Sequence, residues 1–165
     1  MRSHETVELN TVSAIDWARL AAFIDGEGCV RIHRRTRKNS KALRYHEYVQ
    51  IHISNTDPRL MMWLQSTFGG HVVRVTSAAH RAHPEWKSSF QWHVASARAS
   101  QILAFCRPYF VLKGEQADVC LAFQTTMKKS GFYGTPQSVI DRRTEFIRKI
   151  RVLNRKGTAD TAASE

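Results

Sequence analysis

The sequence has no apolar run approaching the roughly 20 residues that cross a bilayer, and Met1 to Asn10 is polar, without the apolar core of a secretory signal. The expectation is a soluble, intracellular chain with no membrane partner. Cysteine is scarce: Cys29, Cys106 and Cys120 are the only three in 165 residues. An odd number without metal-ligand spacing argues against a disulfide framework and a zinc finger, and suits a reducing compartment. Acidic side chains are short as well, with fourteen Asp plus Glu against 25 Lys plus Arg and a formal charge of +11. A sequence pI near 10.1 points to a polyanionic partner. The plain alternative is a basic protein whose charge serves solubility alone, and the distribution of the charge decides between them.

What is present supports one core. At 42% hydrophobic content the chain can bury a single domain, expected over 1–155, with Lys156 to Glu165 as a disordered tail. Ser13 and Asp16 resemble a capping box, opening a short, mostly apolar helix over Ile15 to Ile24 that carries Ala18, Ala21 and Ala22. It should end at Asp25-Gly26-Glu27-Gly28, where glycines permit a tight turn and two carboxylates meet the helix C-terminus. From Cys29 to Arg37 the pattern alternates, with Val30 and Ile32 opposite Arg31, His33 and Arg35. Tyr45 to Ser54 alternates again, with Val49, Ile51 and Ile53 opposite Tyr48, Gln50 and His52. Asp57-Pro58 then opens a helix to about Phe68, ended by Gly69-Gly70. Val72 to Thr76 and Ser89 to Val94 read as a second strand pair, so helix-strand-strand recurs as topology without sequence identity. Further helices are expected over Ala97 to Phe105, Glu115 to about Lys128, and Pro136 to Leu153 with Thr135 as cap.

Two carboxylates around a glycine are by themselves an ordinary turn, in which Asp25 hydrogen-bonds nearby backbone. The longer string Leu20 to Gly28, LAAFIDGEG, followed at once by a basic alternating strand, resembles the signature of the LAGLIDADG homing endonucleases. The resemblance covers roughly Ala14 to Phe123. It includes a polar residue after the second strand (Asn55), a basic residue one turn into the next helix (Arg59), and Pro108 to Lys113, which reads PYFVLK. It implies an α+β fold of αββαββα type with additional C-terminal helices and a curved antiparallel DNA-binding sheet.

The resemblance also implies an activity, site-specific double-strand DNA cleavage by metal-dependent phosphodiester hydrolysis. Glu27 would be the metal-binding carboxylate, Gly26 a carbonyl ligand and Asp25 a structural turn residue. Mg²⁺ prefers such oxygen ligands and keeps several waters; Mn²⁺ is a substitute, and Ca²⁺ a cation bound without cleavage. Asn55, Arg59 and Lys113 would surround the reacting phosphate and offset its charge. One motif copy implies a homodimer, paired through the Ala18, Ala21 and Ala22 helix, on a long pseudo-palindromic target. For reading that DNA, Arg31, His33, Arg35, Arg37, His46, Tyr48, Gln50 and His52 are the candidates on the first ribbon, and Arg74, Thr76, Gln91 and His93 on the second. His80 and His83 lie in a loop without a convincing carboxylate or cysteine partner, which argues against a metal site there. The rival reading is a non-cleaving binder on the same scaffold, a DNA-binding regulator or a maturase with intron RNA as partner.

Overall fold

The computed structural model describes residues 7–36, 45–75, 83, 85–127 and 135–155. Helix α1 (Ala14–Glu27) starts at the expected cap: the Ser13 hydroxyl accepts from the Asp16 amide at 3.1 Å and donates to its carboxylate at 2.8 Å. The helix runs past Ile24, so Asp25, Gly26 and Glu27 form its last turn and not a turn after it. The chain then enters β1 (Gly28–Thr36) directly. A Cβ at Gly28 would stand 2.6 Å from the Ile24 Cα, so only glycine lets the strand begin against the helix end.

After β1 come β2 (Tyr45–Asn55), α2 (Pro58–Phe68), β3 (His71–Val75), β4 (Ser89–Ala95) and three helices, α3 (Ser96–Cys106), α4 (Gly114–Thr125) and α5 (Gln137–Leu153). The sheet is antiparallel throughout, in the order β1-β2-β4-β3. Both helix-strand-strand units therefore place their second strand at the centre, which realises the αββαββα arrangement, with α4 and α5 added. Two helix ends differ from expectation. Pro136, not Thr135, stands before α5, and it offers no side-chain cap. Helix α4 stops at Thr125 because the Thr125 and Thr126 hydroxyls and the Arg143 guanidinium satisfy its final carbonyls and the one just beyond. No helix among the described residues is long and apolar enough to cross a membrane.

Strand alternation sorts the sheet into two faces. Val30, Ile32, Val49, Ile51, Ile53, Trp92 and Val94 are buried on the helix side with Leu20, Ile24, Leu64, Phe68, Ile102 and Leu103. Trp92 is fully buried and donates its indole N–H to the Gly69 carbonyl at 2.7 Å. That approach needs the Gly69-Gly70 pair, whose φ of 71° and 87° lies where L side chains are strained.

One ionic cluster interrupts the apolar face. Glu47, 5% exposed, accepts from Arg34 Nε at 2.6 Å and lies 3.6 Å from the Arg143 guanidinium. Arg34 also reaches the Thr144 hydroxyl at 2.8 Å, so the cluster ties β1 and β2 to α5. Unlike Arg31 and Arg35 on the same strand, Arg34 turns inward, and Glu47 answers its charge. Removing one partner of a buried pair leaves uncompensated charge. Glu47→Ala is accordingly expected to cost about 3 kcal/mol in chemical unfolding, with the sheet-to-α5 contact loosened first in hydrogen exchange.

Candidate functional site

The C-terminal end of α1 collects the residues singled out in the sequence. Glu27 is exposed, and its Oε2 accepts from Asn55 Nδ2 at 2.7 Å. Asn55 ends β2 and uses its Oδ1 to accept from the Asp57 amide at 2.8 Å, so the side chain that holds Glu27 is itself held by the start of α2. Arg59 belongs to a different pair. Its guanidinium folds back on Asp57, the N-cap of its own helix, at 2.6 Å. Hydrogen bonds from the Arg59 side chain and amide pull the Asp57 carboxyl down to about 2. The structure thus joins Glu27 to Asn55, while Arg59 sits two links further along the same chain of contacts, through Asp57.

Asp25 does more than occupy a turn. Its carboxylate accepts from the amides of Val111 and Lys113, both at 2.8 Å, and the Lys113 ammonium donates to the Asp25 carbonyl. Within PYFVLK, a 3₁₀ turn over Arg107–Tyr109 is followed by a segment clasped onto α1, which leaves Lys113 at the N-cap of α4. The physical need is readable: the last helical carbonyls lack intrahelical donors, and α1 has no basic residue in its last turn. The partner that meets this need, 88 residues away, is not readable.

This donor set suits a hard divalent cation. Glu27 offers a carboxylate, and the Gly26 carbonyl belongs to the last turn, where no helical amide claims it. Among the described residues no group of three or more His, Cys, Asp or Glu side chains is placed to hold a metal.

Along α1, Ile15, Ala18, Ala22 and Gly26 form one outward stripe, with Ile15 65% exposed. Ala21 is a correction: at 0% exposure it packs in the chain's own core and faces no partner. Ile15, missed in the sequence, is the large exposed apolar residue of that stripe.

The sheet face away from the helices carries Cys29, Arg31, His33 and Arg35 on β1 and His46, Tyr48, Gln50 and His52 on β2, aligned pairwise by the register. Arg31 donates to Gln50 Oε1 at 2.9 Å, and the His33 and His46 rings each lie 5.1 Å from that of Tyr48. Burial first, then the charges of Arg31, Arg35 and His46, lowers the His33 pKa. On the second ribbon Gln91 and His93 share this face with Val73 and His71. Arg74 does not: it is opposite Phe90, on the helix-side parity, and donates to the Ser88 hydroxyl at 2.6 Å. His71, Val73 and Val75 are the β3 residues that strand parity assigns here, a signal available once the register is known. Arg37, Thr76 and His80 lie outside the described residues. His83 does have a carboxylate nearby, Glu85 at 3.0 Å, and stacks on Trp86, but both are exposed.

Asp25→Ala removes both acceptors of the clasp. The expected result is a loss of about 1 kcal/mol, given the exposure of one bond, with faster hydrogen exchange confined to the Val111 and Lys113 amides.

No family model and no curated protein matches the chain. Solved structures do. The homing endonuclease I-CvuI, in complex with its target, superposes with a TM-score of 0.67 at 19% identity, covering 88% of this chain and 85% of that one. The archaeal intron-encoded homing endonuclease I-Vdi141I, complexed with DNA, gives 0.66 at 10% identity over 87% and 86%. The I-LtrWI LAGLIDADG homing endonuclease, bound to target DNA, gives 0.61 at 16% identity, but 88% of this chain spans only 46% of that one. With an αββαββα unit and LAAFIDGEG closing its first helix, the chain has the fold of the LAGLIDADG homing endonucleases.

Proposed function

We propose that the protein is a site-specific DNA endonuclease that works as a homodimer with Mg²⁺ and makes double-strand breaks at a long pseudo-palindromic site. The observation that carries this is the placement of Glu27: an exposed carboxylate, tethered by Asn55, beside a sheet face whose described strand residues include no acid. A basic face gives affinity for the duplex, and Glu27 brings negative charge where a cation is needed to approach phosphate. When bound, Mg²⁺ supplies Lewis-acid stabilisation of the phosphoryl oxygens. Asn55 fixes the orientation of Glu27, and Lys113 holds positive charge at the helix end. Arg59, on an exposed pair of little strength, can exchange Asp57 for phosphate. I-CvuI was solved in the presence of Ca and of Mg with DNA, which supports a divalent cation for this fold.

Two cuts call for two such helix ends, and one chain has one. The outward stripe on α1 is where they would meet. A Cβ at Gly26 meets nothing within 4 Å in the single chain, so the monomer's packing gives no reason for glycine there.

Cleavage selection on a randomised duplex library with Mg²⁺ should return double-strand cuts at one symmetric site. Glu27→Gln keeps an acceptor for Asn55 but removes the charge, and should lower cleavage by about 10²-fold or more while DNA binding persists. Wild-type cutting by that variant would remove Glu27 from the chemistry; binding without cutting by the wild type would assign a non-cleaving binder, such as a regulator or a maturase. Gly26→Ala should leave the dilute chain at least as stable, since alanine favours helix by up to about 1 kcal/mol. In sedimentation the same variant should shift dimer towards monomer, and an unchanged dimer would put the axis elsewhere.

A further inference from the structure

The exposed sheet face holds a line of residues that spans all four strands. The register sets Cys29 opposite His52, His52 opposite His93, and His93 opposite His71. The His71 and His93 rings are 5.7 Å apart. Nδ1 of His52 and of His93 is shut off from water without a hydrogen-bond partner. We propose that this histidine row takes up protons as the duplex docks, so that His52 and His93 turn from neutral to cationic beneath the phosphates. The proposal rests on the DNA-binding reading above and adds a proton-linked gain of positive charge on that face.

The surroundings of each ring are fully on this face. His52 is faced by Arg31 and Cys29 from β1 and by His93 from β4; His93 is faced by His52 from β2 and His71 from β3. The helices pack on the opposite side, and no carboxylate faces the row from any described strand residue. Burial, then the charges of Arg31 and His93, lowers the pKa of His52; burial, then His71, lowers that of His93. In the unbound protein at neutral pH both rings are therefore uncharged, each with one N–H donor and one acceptor nitrogen.

DNA reverses the balance. Phosphates bring negative potential to the face and favour the charged ring. The pKa starts below the ordinary 6.5 and rises on binding, so protons are taken up between the two values and affinity increases as pH falls through that window. Folding stability moves the other way. A lowered folded-state pKa contributes stability that is present above 6.5 and is lost as pH falls through that value towards the folded one.

The test is fluorescence anisotropy of a labelled mixed-sequence duplex with the full-length chain, without divalent metal and at constant ionic strength, across a pH series. Titration heats in two buffers of different ionisation enthalpy count the protons. Wild type should gain up to about tenfold in affinity per pH unit for each proton taken up. The double variant His52→Gln with His93→Gln should flatten that slope and lose the buffer-dependent heat. His71→Gln, at the edge strand, provides a milder variant should the double one fail to fold, and is expected to change the slope by less. Binding that shows the same slope in wild type and variants overturns the row while leaving the DNA reading intact. Absence of binding at every pH overturns both.

Discussion

The end of α1 is an electrostatic problem whose solution organises the molecule. Its final carbonyls have no helical donors, the helix dipole adds partial negative charge, and the sequence places Asp25 and Glu27 in the same turn without a local cation. Relief comes from elsewhere in the chain. Asn55, at the end of β2, donates to Glu27; the amides of Val111 and Lys113 close on the Asp25 carboxylate; and the Lys113 ammonium meets the Asp25 carbonyl. Two distant parts of the sequence are thereby tied to one helical turn. Packing alone would bring α1 and the sheet together, since Leu20 and Ile24 are fully buried. It would not specify that a carboxylate, an amide and an ammonium converge there.

The sheet divides labour by its twofold alternation. The helix-side face contains the core and a single buried acid, Glu47, with Arg34 and Arg143 around it. Such a cluster adds little net stability compared with apolar packing, but it is intolerant of a missing partner, which makes it a constraint on how α5 meets the hairpin. By consuming both Arg34 and the only acid described on β1 and β2, it leaves the opposite face free of carboxylates. That face then carries fixed charge from Arg31 and Arg35 and conditional charge from its histidines.

Much of this fold is legible in the sequence because strand alternation and helix caps are local signals. Val30 and Ile32 against Arg31 and His33, and Ser13 against Asp16, can be read without knowing anything distant. Features that depend on pairing are not. Arg74 and Gln91 both look like polar strand residues, yet the register puts Arg74 opposite Phe90 and Gln91 opposite Val73, on different faces. Ala18, Ala21 and Ala22 look equivalent in a small-residue run, but only the direction of the core shows Ala21 to be interior. At the site, LAAFIDGEG points to Glu27, and the position of Asn55 is suggested by motif order. The clasp between Asp25 and Val111 is invisible, because backbone amides carry no residue identity.

The separation of charge along the molecule gives the site its order of events. Among the described residues no group of three His, Cys, Asp or Glu side chains stands together, so Mg²⁺ held at Glu27, as proposed, would draw the rest of its oxygen shell from water and substrate phosphate. The basic sheet face, by contrast, needs nothing further to attract a duplex. Binding energy is therefore available from the sheet before the acidic helix end is satisfied, and the approach of phosphate to Glu27 would be repulsive without a cation between them. Under the proposed endonuclease reading, recognition is the cheaper step, and cleavage would wait for phosphate, cation and a second helix end together. On that reading specificity would lie with the sheet, and the motif at the end of α1 would set only where along the docked duplex the reaction can occur.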